Sequence, residues 1–271
     1  DVTVFFAMQL IQLTVGATLL GSALVPVSAQ ESNRTPIYTD PPPRVVPLPS
    51  ERPARPLITD FRIGALQSDY TGSLWVGSYR GLARINPATG VIQSRINVPN
   101  QFIDAMTQDR VGRIWLGTYD GLVRVDPRIN QITAQNFRLP SNRVLDMAID
   151  GRGFLWVGTD QGLAMVSPAR GLLMTTLQEL PGTSATALTL DHDGHLWVGT
   201  LTGLVQVNTA TAFIRNRVFS IPGSSVQTMA TGPQGQLWVG TSQGLFVFAT
   251  ATGPLLRSVT QLRGNRVTDI A

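Results

Sequence analysis

Gly194-His195-Leu196-Trp197-Val198-Gly199-Thr200 is one of five copies of the same phrase. The others are Gly72-Ser73-Leu74-Trp75-Val76-Gly77-Ser78, Gly112-Arg113-Ile114-Trp115-Leu116-Gly117-Thr118, Gly153-Phe154-Leu155-Trp156-Val157-Gly158-Thr159 and Gly235-Gln236-Leu237-Trp238-Val239-Gly240-Thr241. All five tryptophans of the chain stand at this one position, 40, 41, 41 and 41 residues apart. After each copy, and two residues on, comes Gly-Leu: Gly81-Leu82, Gly121-Leu122, Gly162-Leu163, Gly203-Leu204 and Gly244-Leu245. A fixed period of this length marks a repeat architecture.

Within a unit the pattern is that of short strands. In the third copy, residues 144–149, 154–159, 163–166 and 172–177 are β-type runs. They are separated by Asp150-Gly151-Arg152-Gly153, Asp160-Gln161-Gly162 and Ser167-Pro168-Ala169-Arg170-Gly171. Short runs punctuated by Gly, Pro and Asp in this way are hairpins. Helical repeats are excluded, because Gly at several fixed points per unit would cost each helix about 1 kcal/mol apiece. A β-trefoil has three units, and here there are five. A four-stranded sheet cannot bury both faces alone, and radial stacking of such sheets gives an all-β propeller. The tryptophan is then expected mid-sheet on the second strand, filling the gap between blades. The glycine two residues later should leave it room.

Composition bounds the function. Of 271 residues, 43% are apolar and 14% charged, and the 21 basic residues are all arginine. They are interleaved with acids, not gathered in a run, which argues against nucleic-acid binding. With no cysteine, disulfides and thiolate metal sites are excluded. Residues 4–27 are almost continuously apolar, and Val27-Ser28-Ala29 places small residues where a signal peptidase reads. A signal peptide over 1–29 is expected, with the mature chain starting at Gln30; a retained membrane anchor is the alternative. Residues 30–56 carry Pro36, Pro41, Pro42, Pro43, Pro47, Pro49 and Pro53 and form a proline-rich linker. The propeller should occupy 57–271, with repeats starting near 63, 103, 144, 185, 226 and 267. Arg266-Val267-Thr268-Asp269-Ile270-Ala271 repeats Arg143-Val144-Leu145-Asp146-Met147-Ala148, so a sixth unit has begun where the sequence stops. The expectation is an arc of a six- to eight-bladed ring, with residues 57–61 offering an outermost strand for its closure.

The Leu-Trp-Val-Gly-Thr-x-x-Gly-Leu phrase resembles the two-component regulator propeller repeat, across roughly residues 63–271. That family occurs in extracytoplasmic sensor regions of bacterial hybrid histidine kinases and in secreted propellers. The resemblance implies the propeller fold and a role in ligand sensing or protein contact; it supplies no catalytic residue.

Asp191-His192-Asp193-Gly194-His195 is the one cluster of metal-like composition. It lacks the further oxygen ligands of a calcium loop and the third partner of a zinc site. Asp69, Asp109 and Asp150 recur at the position of Asp191, so turn capping explains it better, and no metal or other cofactor is expected. No nucleophile–base pair can be assembled, and the serines and threonines of the repeated phrase are expected to pair across strands.

The candidate ligand site is the rim bearing the turn between second and third strands. Its two central residues change in every copy: Tyr79-Arg80, Tyr119-Asp120, Asp160-Gln161, Leu201-Thr202 and Ser242-Gln243. Asn142-Arg143 and Asn265-Arg266, from the connections between blades, should face the same way. Tyr79, Arg80, Tyr119, Asp120, Asp160, Gln161, Asn142 and Arg143 together suit a sugar or peptide. The plain alternative is a solvated edge on which Arg80 and Asp120 pair. The sequence thus reads as a periplasmic or secreted, non-catalytic binding propeller. Its partner is a small-molecule, glycan or peptide ligand or a protein, and neither nucleic acid nor, beyond the N-terminal segment, membrane. The alternative is a propeller enzyme of lyase or hydrolase type, since streptogramin lyases share the fold.

Overall fold

Five antiparallel sheets of four strands follow one another along the chain, each ordered as in the sequence. The computed structural model describes residues 2–4, 62–98, 102–135, 137–219, 221–223, 225–251 and 253–270. The expected linker, the segment 57–61 and all of the expected leader beyond Val4 lie outside the described residues. The first blade is β2 (Ile63–Ser68), β3 (Leu74–Ser78), β4 (Gly81–Ile85) and β5 (Ile92–Ile96). The second is β6 (Ile103–Gln108), β7 (Ile114–Thr118), β8 (Gly121–Asp126) and β9 (Gln131–Ala134). The third is β10 (Val144–Ile149), β11 (Leu155–Thr159), β12 (Gly162–Ser167) and β13 (Leu172–Leu177). The fourth is β14 (Ala187–Leu190), β15 (Leu196–Gly199), β16 (Gly203–Val207) and β17 (Ile214–Phe219). The fifth is β18 (Val226–Thr231), β19 (Gln236–Thr241), β20 (Gly244–Ala249) and β21 (Leu255–Ser258). A single 3-10 turn, Thr260–Leu262, precedes β22 (Val267–Ile270), which opens a sixth unit and pairs in parallel with β1 (Val2–Val4). The first strands of successive blades, β2, β6, β10, β14, β18 and β22, lie side by side in that order and form the inner wall.

The recurring aspartate is the device that fixes the turn and the indole in the first four blades. Asp69 Oδ1 accepts the N–H groups of Thr71 (2.8 Å) and Ser73 (3.0 Å), closing the turn between first and second strands, and Oδ2 accepts Trp75 Nε1–H at 2.9 Å. Asp109, Asp150 and Asp191 do the same for Trp115, Trp156 and Trp197, at 2.9, 3.1 and 3.2 Å. A buried indole N–H needs an acceptor, and the turn needs its donors satisfied; one carboxylate serves both. Gly153, at φ +87°, lets the third turn bend back to its aspartate without the steric cost a side chain would meet.

Each tryptophan packs with the following blade as expected. Trp75 joins Ile103, Ile114 and Leu116; Trp156 joins Ala185, Leu196 and Val198. Two expectations need correcting. The glycine two residues after Trp does not make room for the indole. A methyl group on Gly77 would meet Ile103 Cγ2 at 2.6 Å, and on Gly117 or Gly199 would meet Val144 or Val226 Cγ1 at 2.5 Å. The glycine is therefore a socket for the first residue of the next inner strand. The threonines of the phrase also turn out to be local. Thr118 Oγ1 donates to Gly121 O at 2.9 Å and accepts Asp120 N–H at 3.1 Å, so it closes the turn between β7 and β8 on backbone groups instead of pairing with a side chain across the strands.

Trp238 departs from its siblings. The other four are fully buried, whereas Trp238 is only partly so. Gly232 stands where the other blades have aspartate, and Trp238 packs with Val259, Leu262, Val267 and Ile270.

Candidate functional site

Antiparallel pairing sorts the loops onto two rims. Each blade's first strand starts where its second ends: Ile103 pairs with Thr118 and Val144 with Thr159. The connections between blades and the second-to-third turns therefore share one rim. The aspartate turns share the other.

The aspartate rim is occupied with structural work. Asp191 Oδ1 accepts Asp193 N–H (3.1 Å) and His195 N–H (2.8 Å), and its Oδ2 accepts Gln206 Nε2 (2.9 Å) besides Trp197. Donor atoms of Asp191, Asp193 and His195 lie within 4.8 Å of one another, but the Asp191 oxygens are committed to these bonds. His192 Nε2 reaches the carbonyl of Gly232 in the next blade at 3.1 Å, and His195 lies against the Arg215 guanidinium. Burial pushes the Asp69 carboxyl up, but hydrogen bonds from Thr71, Trp75 and Ser73, with Arg84 beside it, hold it below the ordinary aspartate value.

On the opposite rim the structure gathers part of the expected set. Tyr119 is 49% exposed, and the Arg143 guanidinium of the following blade lies 5.0 Å from its ring centroid. That is a cation–π contact. Asn142 Oδ1 comes beside Gly121, in the same turn as Tyr119 and Asp120. Asp160, one residue beyond the Thr159–Val144 pair, is Arg143's neighbour within the third blade. Ser184 Oγ donates to the Asp160 carbonyl at 3.0 Å, while Asp160 Oδ1 is enclosed with no hydrogen-bond partner. Gln161 is exposed, its N–H taken by Thr159 Oγ1 at 3.2 Å. Tyr79 (51% exposed) and Arg80 occupy the same turn positions one blade earlier.

One member was missed from the sequence. Asp104, the second residue of β6, faces Arg143 electrostatically. Burial pushes its carboxyl above the ordinary value and Arg143 pulls it back. Its signal was the one charge on an inner strand of otherwise uncharged residues. The site is therefore a guanidinium lying over an aromatic ring and facing Asp104, with Asn142 and Asp160 on the same rim. It offers a stacking face, fixed donors and fixed acceptors, with no built nucleophile.

Four segments of the chain, residues 97–120, 138–161, 179–202 and 220–243, match the two component regulator propeller family. Each runs from a blade connection through the inner strand, the aspartate turn position and the tryptophan strand into the variable turn. The chain is also similar in fold to the extracellular domain of a putative hybrid two component system from B. thetaiotaomicron. The TM-score is 0.67 at 20% identity, over 77% of this chain and 30% of that one. It is similar as well to virginiamycin B lyase from Staphylococcus aureus (TM-score 0.65, 15% identity, 81% of this chain and 74% of that one). A third likeness is to a surface component of the type-IX secretion system of Porphyromonas gingivalis (TM-score 0.59, 16% identity, 74% and 34%). The chain spans under a third of the first of these structures. No curated protein matches the sequence.

Proposed function

We propose that this chain is an extracytoplasmic ligand-sensing or protein-interaction propeller, without catalytic activity of its own. Its ligand, a saccharide or a peptide, seats on the rim at Tyr119, Asn142 and Arg143. The observation that carries this reading is the Arg143 guanidinium lying over a half-exposed Tyr119 where two blades meet. Packing does not need that pair, since its ring and cation face solvent, whereas a polar ligand with a flat face would use both. The family match, and fold neighbours that are extracellular domains of two component systems, support the extracytoplasmic sensing role.

The alternative is a lyase- or hydrolase-type propeller, favoured by the fold likeness to virginiamycin B lyase. Against it, both histidines of the chain sit on the opposite rim, one on a backbone carbonyl and one on Arg215.

A calorimetric screen with glycans and peptides tests the reading on wild type and on Tyr119→Ala/Arg143→Ala. The expected result is a ligand that loses at least tenfold in affinity in the double variant and is recovered chemically intact. Unchanged affinity in the double variant moves the site elsewhere, and a cleaved or eliminated product favours the enzyme.

A further inference from the structure

By repeat position, the residue just before an inner strand corresponds to the second residue of the inner strand one blade earlier. Arg266 stands to Gln227 as Arg143 stands to Asp104. The first pair closes: Arg266 Nη2 donates to Gln227 Oε1 at 2.9 Å, and the Gln227 amide donates in turn to Ser225 Oγ at 3.0 Å. In the fourth unit Thr186, at the position of Asp104, donates through Oγ1 to Val226 O of the next blade at 2.8 Å. Polar side chains at this place are thus bound across the blade boundary in the fourth and fifth units.

The second unit breaks that pattern. Arg143 lies over the Tyr119 ring, 5.0 Å from its centroid, and makes no ion pair with Asp104. Among the described residues no donor bonds to the half-buried Asp104 carboxylate. Ionised, it cannot donate to a carbonyl of the next blade as Thr186 does. Burial raises its carboxyl above the ordinary value, and Arg143 brings it only part of the way back. Asp160, beside Arg143 in the third blade, shows the same deficit, with Oδ1 enclosed and without a partner. Enclosed carboxylate oxygens are ordinarily matched by donors, as those of Asp69, Asp109, Asp150 and Asp191 are on the opposite rim. Among the described residues only Asp191, Asp193 and His195 gather three such groups within 4.8 Å. The wider spread of Asp104, Asp120 and Asp160 therefore suits an extended donor, not a bare metal ion.

We propose that the ligand of this rim carries an ammonium group, received by Asp104 and Asp160 beside the Arg143–Tyr119 pair. The inference rests on the reading of this rim as the ligand site. It narrows that reading from any saccharide or peptide to one bearing an amine, as an amino sugar or a lysine side chain does. An ammonium brings three N–H donors and a positive charge to carboxylates that the protein leaves without donors. The half-buried setting of Asp104 strengthens the attraction, because less water screens it.

Titration calorimetry of the whole chain in buffered saline tests this with a glucosamine tetramer, its N-acetylated form, a lysine pentapeptide and its ε-acetylated form. One amine should bind, and its acetylated form should bind roughly tenfold more weakly or worse. Asp104→Gln should weaken the amine by a similar factor. Glutamine already occupies this place in the fifth unit, so the variant is expected to fold. Asp160→Asn should give a smaller loss, and Asp193→Asn, an exposed carboxylate of the opposite rim, none. Which amine binds the tighter identifies the source of the group, sugar or peptide. Binding of neither amine, or equal binding of an amine and its acetylated form, overturns the proposal. So does a loss in Asp193→Asn as large as in Asp104→Gln, which marks attraction to acidic groups at large. A neutral glycan or peptide that is lost in Tyr119→Ala/Arg143→Ala but unaffected by Asp104→Gln overturns the ammonium and leaves the rim as the site.

Discussion

The third and fifth blades have the same four strands and the same repeated phrase, yet they hold their tryptophans differently. In the third, Asp150 gathers two turn N–H groups and the Trp156 indole, and the next blade seals the ring completely. In the fifth, Gly232 offers no carboxylate, Arg257 lies over the Trp238 ring at 5.4 Å, and the indole stays partly exposed. The comparison separates two jobs that one aspartate does elsewhere. Backbone pairing makes the blade, since the fifth forms without it. The carboxylate fixes the indole and the turn together.

The largest test of that difference is a pair of truncations. Trp156→Ala should cost about 3–5 kcal/mol, as large buried aromatics do, and Trp238→Ala about 1–2 kcal/mol because its ring is partly solvated. Urea unfolding of both variants measures this, and equal losses would break the contrast. Asp150→Ala comes next. It leaves a buried indole N–H and two turn amides without their acceptor, for an expected loss of about 2–3 kcal/mol by the same measurement.

Grafting the device sharpens the comparison. A Cβ at Gly232 would stand 2.7 Å from Trp238 Nε1, so the fifth blade has settled around the glycine. Gly232→Asp should therefore destabilise by about 1 kcal/mol, through overpacking, and shift Trp238 fluorescence. A gain in stability would instead mean that the missing carboxylate alone opens the fifth blade. The smallest effect is in acid. Asp69 titrates below the ordinary range, so its contribution is present above pH 3.8 and is lost as pH falls through its lowered value. An Asp69→Asn variant should differ from wild type at neutral pH and converge with it toward pH 2 in thermal unfolding.

The repeat made most of the fold legible. A residue that returns every 41 positions has the same neighbours each time, so five copies vote on one environment. Trp156, the turn aspartates and the strands of the third unit were readable for that reason. Residues that differ between copies give no such vote. The turn placed Tyr119 on a rim, and the blade connection placed Arg143 there, but their contact joins two units and left no trace in either. Asp104 was illegible as part of the site, because its partner lies at residue 143, in the next unit. The role of the glycine was misread because the residue filling its socket belongs to the next unit.

The threonine that closes each variable turn has a consequence for descent. Thr118 and Thr159 hold their turns with one hydroxyl each, using only backbone of the turn, so the side chains between threonine and glycine carry no part of the frame. Mutation can rewrite them blade by blade while the scaffold stays silent, much as a keyboard accepts new lettering without new hinges. A chain built this way can change what it recognises many times before it must change how it folds.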